Sequence, residues 1–149
     1  MPLSRIRQTF ASQSFMSHLG AELVRLERGV AEIAYRRDER LLQHNGFLHA
    51  GVVTSILDTA CGVAAQSVMA EGSDVLSVEF KVNFLAPAAG ERFLVRGEVL
   101  KAGRTIVVCR GDAFAMDGSE PRLIAAMQAS MMAVRQGGEA GGEAAAKRG

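Results

Sequence analysis

Between Gln43 and Met69 the chain reads QHNGFLHAGVVTSILDTACGVAAQSVM, a short polar loop and then about 21 apolar or small residues. Val52, Val53, Ile56, Leu57, Ala60, Val63 and Ala64 recur at helical spacing, which predicts one long helix. The roughly opposite stripe, Gly51, Ser55, Asp58 and Gly62, is small or polar, so another surface can approach the backbone there. Between His49 and Gln66 only Asp58 is certain to want a charge. One acid in a helix that is apolar nearly all round is costly unless it is paired or used. The helix is therefore expected to be central and buried, with Asp58 as a catalytic carboxylate and the rest of the chain as its wrapping.

The bulk properties narrow the class. A chain of 149 residues, 48% hydrophobic and 22% charged, fits one globular domain with a core of its own. A net charge of +1, no Trp and one Tyr give no case for nucleic acid or an anionic membrane. Cys61 and Cys109 lie in apolar runs and read as buried reduced thiols; with the three histidines scattered, no metal site is expected. The N-terminus lacks the continuous apolar run of a signal peptide. Thr54, Ser55 and Asp58 at mid-helix argue against a membrane span, and a cytoplasmic location is the default expectation.

Around the helix the patterning is that of strands. Residues 1–20 carry a loosely helical pattern through Ile6, Phe10, Phe15, Met16 and Leu19, closed by Gly20. Ala21–Leu26 and Val30–Tyr35 read as a hairpin about Glu27-Arg28-Gly29, and the charged run Arg36–Arg40 as a solvated connector. Glu71-Gly72-Ser73 reads as a helix stop and turn. Beyond it, Val75–Phe84, Arg92–Lys101, Thr105–Met116 and Leu123–Val134 alternate like strands, with turn residues between them. In the first of these, Val78, Phe80, Val82 and Phe84 are expected on one face and Ser77, Glu79, Lys81 and Asn83 on the other. Turns at this spacing predict an antiparallel meander rather than βαβ units, curled around the helix as one domain over residues 21–135. The tail 136–149 has no large apolar residue and is expected to be disordered.

The stretch Gly46-Phe47-Leu48-His49-Ala50-Gly51, with Asp58 nine residues after the histidine, resembles the hotdog-fold acyl-CoA thioesterases of the PaaI-like (phenylacetic acid degradation-related) family. Ser77-Val78-Glu79-Phe80, Asn83-Phe84-Leu85-Ala86-Pro87 and the turn Leu100-Lys101-Ala102-Gly103-Arg104 look like its following strand and next hairpin. The resemblance spans about residues 10 to 135. It implies an α+β hotdog fold, a long helix wrapped by five or six antiparallel strands, and hydrolysis of an acyl-CoA to a free acid and CoA. Ser77 would help to position the water or Asp58, the Gln43 amide could hold a water or a carbonyl oxygen, and Lys101, Gly103 and Arg104 would meet CoA. Two departures stand out: Ala50 replaces the family's first glycine after the histidine, and Gln43 stands where some members have Asn.

The chemistry suits these residues. A thiolate whose conjugate acid has a pKa of about 8.5 leaves with little acid help, so the reaction needs a base or nucleophile and an oxyanion donor. Asp58 would be the first, activating water or attacking directly. The N–H groups of Ala50 and Gly51 at the helix start would be the second, with His49 positioning that loop. Ala50 and Asp58 are eight residues apart, about 12 Å along one helix, and cannot both reach one carbon. Two antiparallel helices related by a two-fold would bring Ala50 of one beside Asp58 of the other. A homodimer is therefore expected, and a dimer of dimers beyond it, with no cofactor other than the CoA of the substrate. The competing functions are a non-catalytic acyl-CoA binding or sensing module and a hotdog acyl-thioester dehydratase or hydratase; the latter typically uses a His-Phe-Pro-Gly loop, and Gly46–Gly51 contains no proline.

Overall fold

The computed structural model describes residues 2–135; the tail 136–149 lies outside the described residues. The elements run α1 (Leu3–Ala11), α2 (Ser14–His18), β1 (Glu22–Glu27), β2 (Val30–Arg36), a 3-10 turn (Glu39–Leu41), α3 (Ala50–Gln66), β3 (Ser73–Phe84), β4 (Arg92–Ala102), β5 (Ile106–Ala115) and β6 (Arg122–Arg135). The six strands form one antiparallel sheet in the order β1-β2-β4-β5-β6-β3, and α3 packs against β2 through β6. This is the α+β hotdog arrangement implied by the resemblance.

Alternation builds the inner layer. Ile33 and Tyr35 of β2, Phe93 and Val95 of β4, Val107 and Cys109 of β5, and Met127 and Met131 of β6 are buried beneath the helix. Tyr35 and Phe93 stack with ring centroids 5.2 Å apart. Both thiols are free and buried; burial pushes Cys109 up to about 12, and burial, then Cys109 and Asp58, push Cys61 upward. Both therefore stay protonated at neutral pH and are poor nucleophiles. Ile6, Phe10, Met16 and Leu19 seat the N-terminal helices on the same core.

Close helix–sheet approach depends on two glycines. Gly97 and Gly111 are opposite each other on β4 and β5, directly under α3. A Cβ on Gly97 would lie 2.4 Å from the Ala60 carbonyl, and one on Gly111 would meet Leu57 Cδ2 at 2.9 Å. The first obstacle is helix backbone and the second the end of a side chain.

Three sequence expectations need correction. The helix has 17 residues and ends at Gln66, ahead of Glu71-Gly72. Ser67 stops it: its Oγ donates to Ala64 O at 2.6 Å and accepts from Gly29 N–H at 2.7 Å, tying the helix end to the β1–β2 turn. The meander holds only for β4-β5-β6, because β3 crosses to the far edge and pairs with β6. Within β3 a bulge falls between Ser77 and Glu79, so Val78 drops out of the alternation. Ser77, opposite Met131, therefore shares the inner face with Phe80, Val82 and Phe84, opposite Ala129, Met127 and Ala125.

Gly97→Ala is expected to destabilise the fold by about 3 kcal/mol, since neither backbone can yield, and Gly111→Ala by about 1 kcal/mol, since Leu57 can rotate. Urea unfolding of the two variants checks the order.

Candidate active site

The loop before α3 is built to present the helix start. Gln43 N–H donates to Phe47 O at 2.8 Å, Gly46 N–H to Gln43 O at 3.0 Å, and the Gln43 side-chain oxygen accepts from Asn45 N–H. Gly46 turns the chain at φ +81°, a left-handed conformation that suits glycine. His49 N–H to Leu41 O and Leu48 N–H to Ala88 O pin the loop to its surroundings.

His49 is the N-cap of α3. Its Nδ1 accepts from Gly51 N–H at 2.9 Å, so the ring proton of the neutral imidazole sits on Nε2. This sharpens the expectation of two free amides: Gly51 N–H is occupied, and among the described residues Ala50 N–H has no acceptor. Ala50 lines a cleft of about 610 Å³ that also carries Gln43, His44, Phe47, His49, Val53, Phe84, Leu85 and Ile124. No Asp, Glu, Lys or Arg lines it.

Asp58 lies two turns along the helix, half-buried, and its Oδ1 accepts from Ser77 Oγ at 2.6 Å. The bulge at Val78 makes that contact possible by turning Ser77 inward. Asp58 and Ser77 open onto a separate cavity of about 230 Å³. Its walls are Thr9 and Gln13 from the N-terminal segment, Thr59, Gly62, Val63 and Gln66 of α3, and Asp74 and Val75 of β3.

The candidate residues of one chain thus fall into two separate groups. Gln43, His49, Ala50 and Gly51 cluster at the helix start, while Asp58 and Ser77 sit together about 12 Å farther along. Lys101, Gly103 and Arg104 join neither cavity. They occupy the exposed β4–β5 hairpin, level with Ser77 through the pairs Ser77–Met131, Met131–Val107 and Val107–Ala102, roughly 14 Å across the sheet. Among the described residues, no group of three or more His, Cys, Asp and Glu could hold a metal ion, and no helix is long and apolar enough to cross a membrane. Sequence reading missed Thr9 and Gln13, which carry no local signal and line the Asp58 cavity only through the docking of the N-terminal segment.

A family model described as the thioesterase superfamily matches residues 45–121, from the helix-start loop through the end of β5. The chain belongs to the thioesterase superfamily. Thioester hydrolysis is the activity that goes with that membership. A thioesterase family protein from Silicibacter pomeroyi is 48% identical, with a TM-score of 0.87 over 90% of this chain and 99% of that one. The medium/long-chain acyl-CoA thioesterase YigI of Escherichia coli is 28% identical over 111 residues, 64% of this chain and 72% of its own. The E. coli PaaI protein of the phenylacetic acid degradation operon, 18% identical over 89% of this chain and 96% of that one with a TM-score of 0.77, shares the fold.

Removing the His49 cap by His49→Ala is expected to cost about 1 kcal/mol of stability and to free Gly51 N–H. Thermal melting reads the first effect. The amide exchange rate of Gly51 reads the second, and it should rise while mid-helix amides keep their protection.

Proposed function

We propose that this protein hydrolyses acyl-CoA thioesters in sites shared between two subunits, with Asp58 as the general base or nucleophile and Ala50 N–H as the oxyanion donor. The observation that carries the reading is the separation of a free helix-start amide from a serine-bound carboxylate on one rigid helix. Each half lacks what the other has, and a two-fold with antiparallel helices joins them twice. The exposed part of α3 is the small and polar stripe that includes Gly51, Ser55 and Asp58, so a second helix can approach it. Beside it runs the unpaired edge of β3, whose inner-face Phe80 and Phe84 are 42% and 50% exposed. A long strand with an open edge and uncovered aromatics calls for a partner, and a second copy supplies one.

In that dimer the thioester carbonyl oxygen accepts from Ala50 N–H, with the positive end of the helix dipole behind it. Gln43, on the wall of the same cleft, holds the carbonyl or a water. His49 fixes the loop through its cap. From the other subunit, Asp58, oriented by Ser77, removes a proton from water or attacks the carbonyl carbon itself. The tetrahedral adduct collapses with loss of the thiolate, which departs with little acid help. Lys101 and Arg104, at the hairpin closed by Gly103 N–H donating to Ile106 O, offer cations to the phosphates of CoA.

Asp58→Asn is expected to lower kcat by about a thousandfold or more, with the dimer and its melting temperature preserved. Ala50→Pro removes the donor and keeps the helix, because proline suits a first helical position and His49 already has φ −61° and ψ 138°. Each variant alone should be inactive. Refolded as an equal mixture they should recover about a quarter of the wild-type rate, since half the dimers then hold one intact site. Recovery of nothing, or an active monomer in sedimentation, would falsify the shared site. A wild type that binds CoA esters but releases no thiol is a binding module instead.

Replacing Lys101 and Arg104 together with Ala is expected to raise KM for an acyl-CoA about tenfold at low salt, an effect that shrinks as salt rises. KM for the matching N-acetylcysteamine thioester, which has no phosphates, should not move.

A further inference from the structure

The charged run Arg36–Arg40 borders a space of its own. A pocket of about 420 Å³ is lined by Arg36, Arg37 and Arg40, with Arg92 from the start of β4 and His18 from the end of α2. It shares no lining residue with the helix-start cleft or the Asp58 cavity. The strands that carry Arg36 and Arg92 are separated from the open β3 edge by β5 and β6. Sheet register makes this place an exception. Elsewhere, charged residues that oppose each other across the sheet have opposite signs: Arg25 opposite Glu32, Glu32 opposite Arg96, Arg96 opposite Asp112, and Glu98 opposite Arg110. Arg36, by contrast, lies opposite Arg92. Like charges at directly opposed positions repel. The acids nearby leave that repulsion standing. Asp38 is held by Arg40, whose Nη2 donates to Oδ2 at 2.6 Å. Glu91 reaches Arg37 only at 3.9 Å, and Asp117 reaches Arg92 at 3.5 Å. Glu22 also lines the pocket, yet among the described residues it forms no ion pair. Among the same residues the Arg36 side chain has neither an ion pair nor a hydrogen bond.

We infer that this pocket binds a phosphate-bearing ligand, with Arg36 and Arg92 sharing one phosphoryl group. A guanidinium offers paired N–H donors that match phosphate oxygens, and an anion set between two arginines turns their repulsion into attraction to a common centre. Arg37 and Arg40 on the connector and His18 on α2 bring further donors to the same space. One carboxylate would engage a single fork and leave the others unanswered, whereas two linked phosphoryl groups engage several. The phosphates belong either to the CoA of a substrate or to a separate phosphorylated metabolite, and the experiment tells these sources apart.

Inorganic pyrophosphate is the probe, followed by titration calorimetry and thermal melting of the full-length protein at low salt. It is expected to bind and to raise the melting temperature by about 5 °C at saturation, both effects weakening as sodium chloride is added. Arg36→Gln should weaken that binding about tenfold or more. The ligand-free variant should melt at the same temperature or higher, because a like-charged neighbour has gone. A purely structural arginine would instead lower the melting temperature. Lys101→Ala with Arg104→Ala, at the opposite end of β4 from Arg92, should leave pyrophosphate binding unchanged. Kinetics then identify the source. If the phosphates are those of CoA, Arg36→Gln raises KM for an acyl-CoA and leaves KM for the matching N-acetylcysteamine thioester unmoved. If they belong to a separate metabolite, neither KM moves and pyrophosphate does not compete with acyl-CoA. No binding at millimolar pyrophosphate, binding untouched by Arg36→Gln, or an equal melting shift from sodium chloride of the same ionic strength overturns the site. The binding measurement needs no thiol release, so failure of the catalytic reading is told apart from failure of this one.

Discussion

The contact between the backbone of α3 and the paired glycines of β4 and β5 sets the geometry of everything else. At Gly97 and Gly111 the helix comes so near the sheet that an added methyl at the first would strike the Ala60 carbonyl. Seated there, α3 is held in both depth and rotation, because moving it would empty close-packed space on one side and overfill it on the other. Rotation decides which residues stay uncovered. With Val53, Ile56, Leu57, Ala60 and Ala64 turned to the core, Gly51, Ser55 and Asp58 are left at the surface the sheet does not cover. The placement of the acid follows from the placement of the glycines.

On the shared-site reading proposed above, that rigidity is what would let each half serve its partner. Two groups fixed on one 17-residue helix keep a constant spacing, so joining two copies about a two-fold would fix both sites at once. The supporting bonds serve the same end. The His49 cap and the Gln43 loop hold the helix start, and Ser67 anchors the other terminus to the β1–β2 turn. Asp58 is steadied by a single bond from Ser77 to Oδ1, which leaves Oδ2 without a hydrogen-bond partner among the described residues.

The sequence made some of this legible and hid the rest for physical reasons. The helix and all six strands follow from periodicity, because each buries one face and its composition must alternate accordingly. Asp58 was conspicuous as the one acid in an apolar helix, and His49, Ala50 and Gly51 were marked by their place at its start. Which strand lies at the edge depends on pairing between distant residues, and β3 crosses the sheet without any local mark. The bulge at Val78 is equally silent: VEF alternates perfectly on paper, and only the register against Met131 and Ser130 reveals the extra residue. The 17-residue length of α3 turned on Ser67 bonding back to Ala64, which an apolar run continuing to Met69 concealed. Thr9, Gln13 and Gln66 are ordinary polar residues until docking of the N-terminal segment brings them around one space.

The extra residue in β3 works as a phase converter. A strand of period two can show a site only one set of alternate residues, yet here Ser77 must reach Asp58 and Phe80, Val82 and Phe84 must lie on the same side. Their odd spacing is incompatible with an unbroken pleat, and one looped-out valine reconciles it. Sequence length in this strand is therefore under tighter constraint than sequence identity. Losing or gaining a single residue between Ser77 and Phe80 would leave every side chain chemically intact and turn either the serine or the aromatic face away. In an alignment of related chains, gaps should avoid these four positions even where the residues themselves vary.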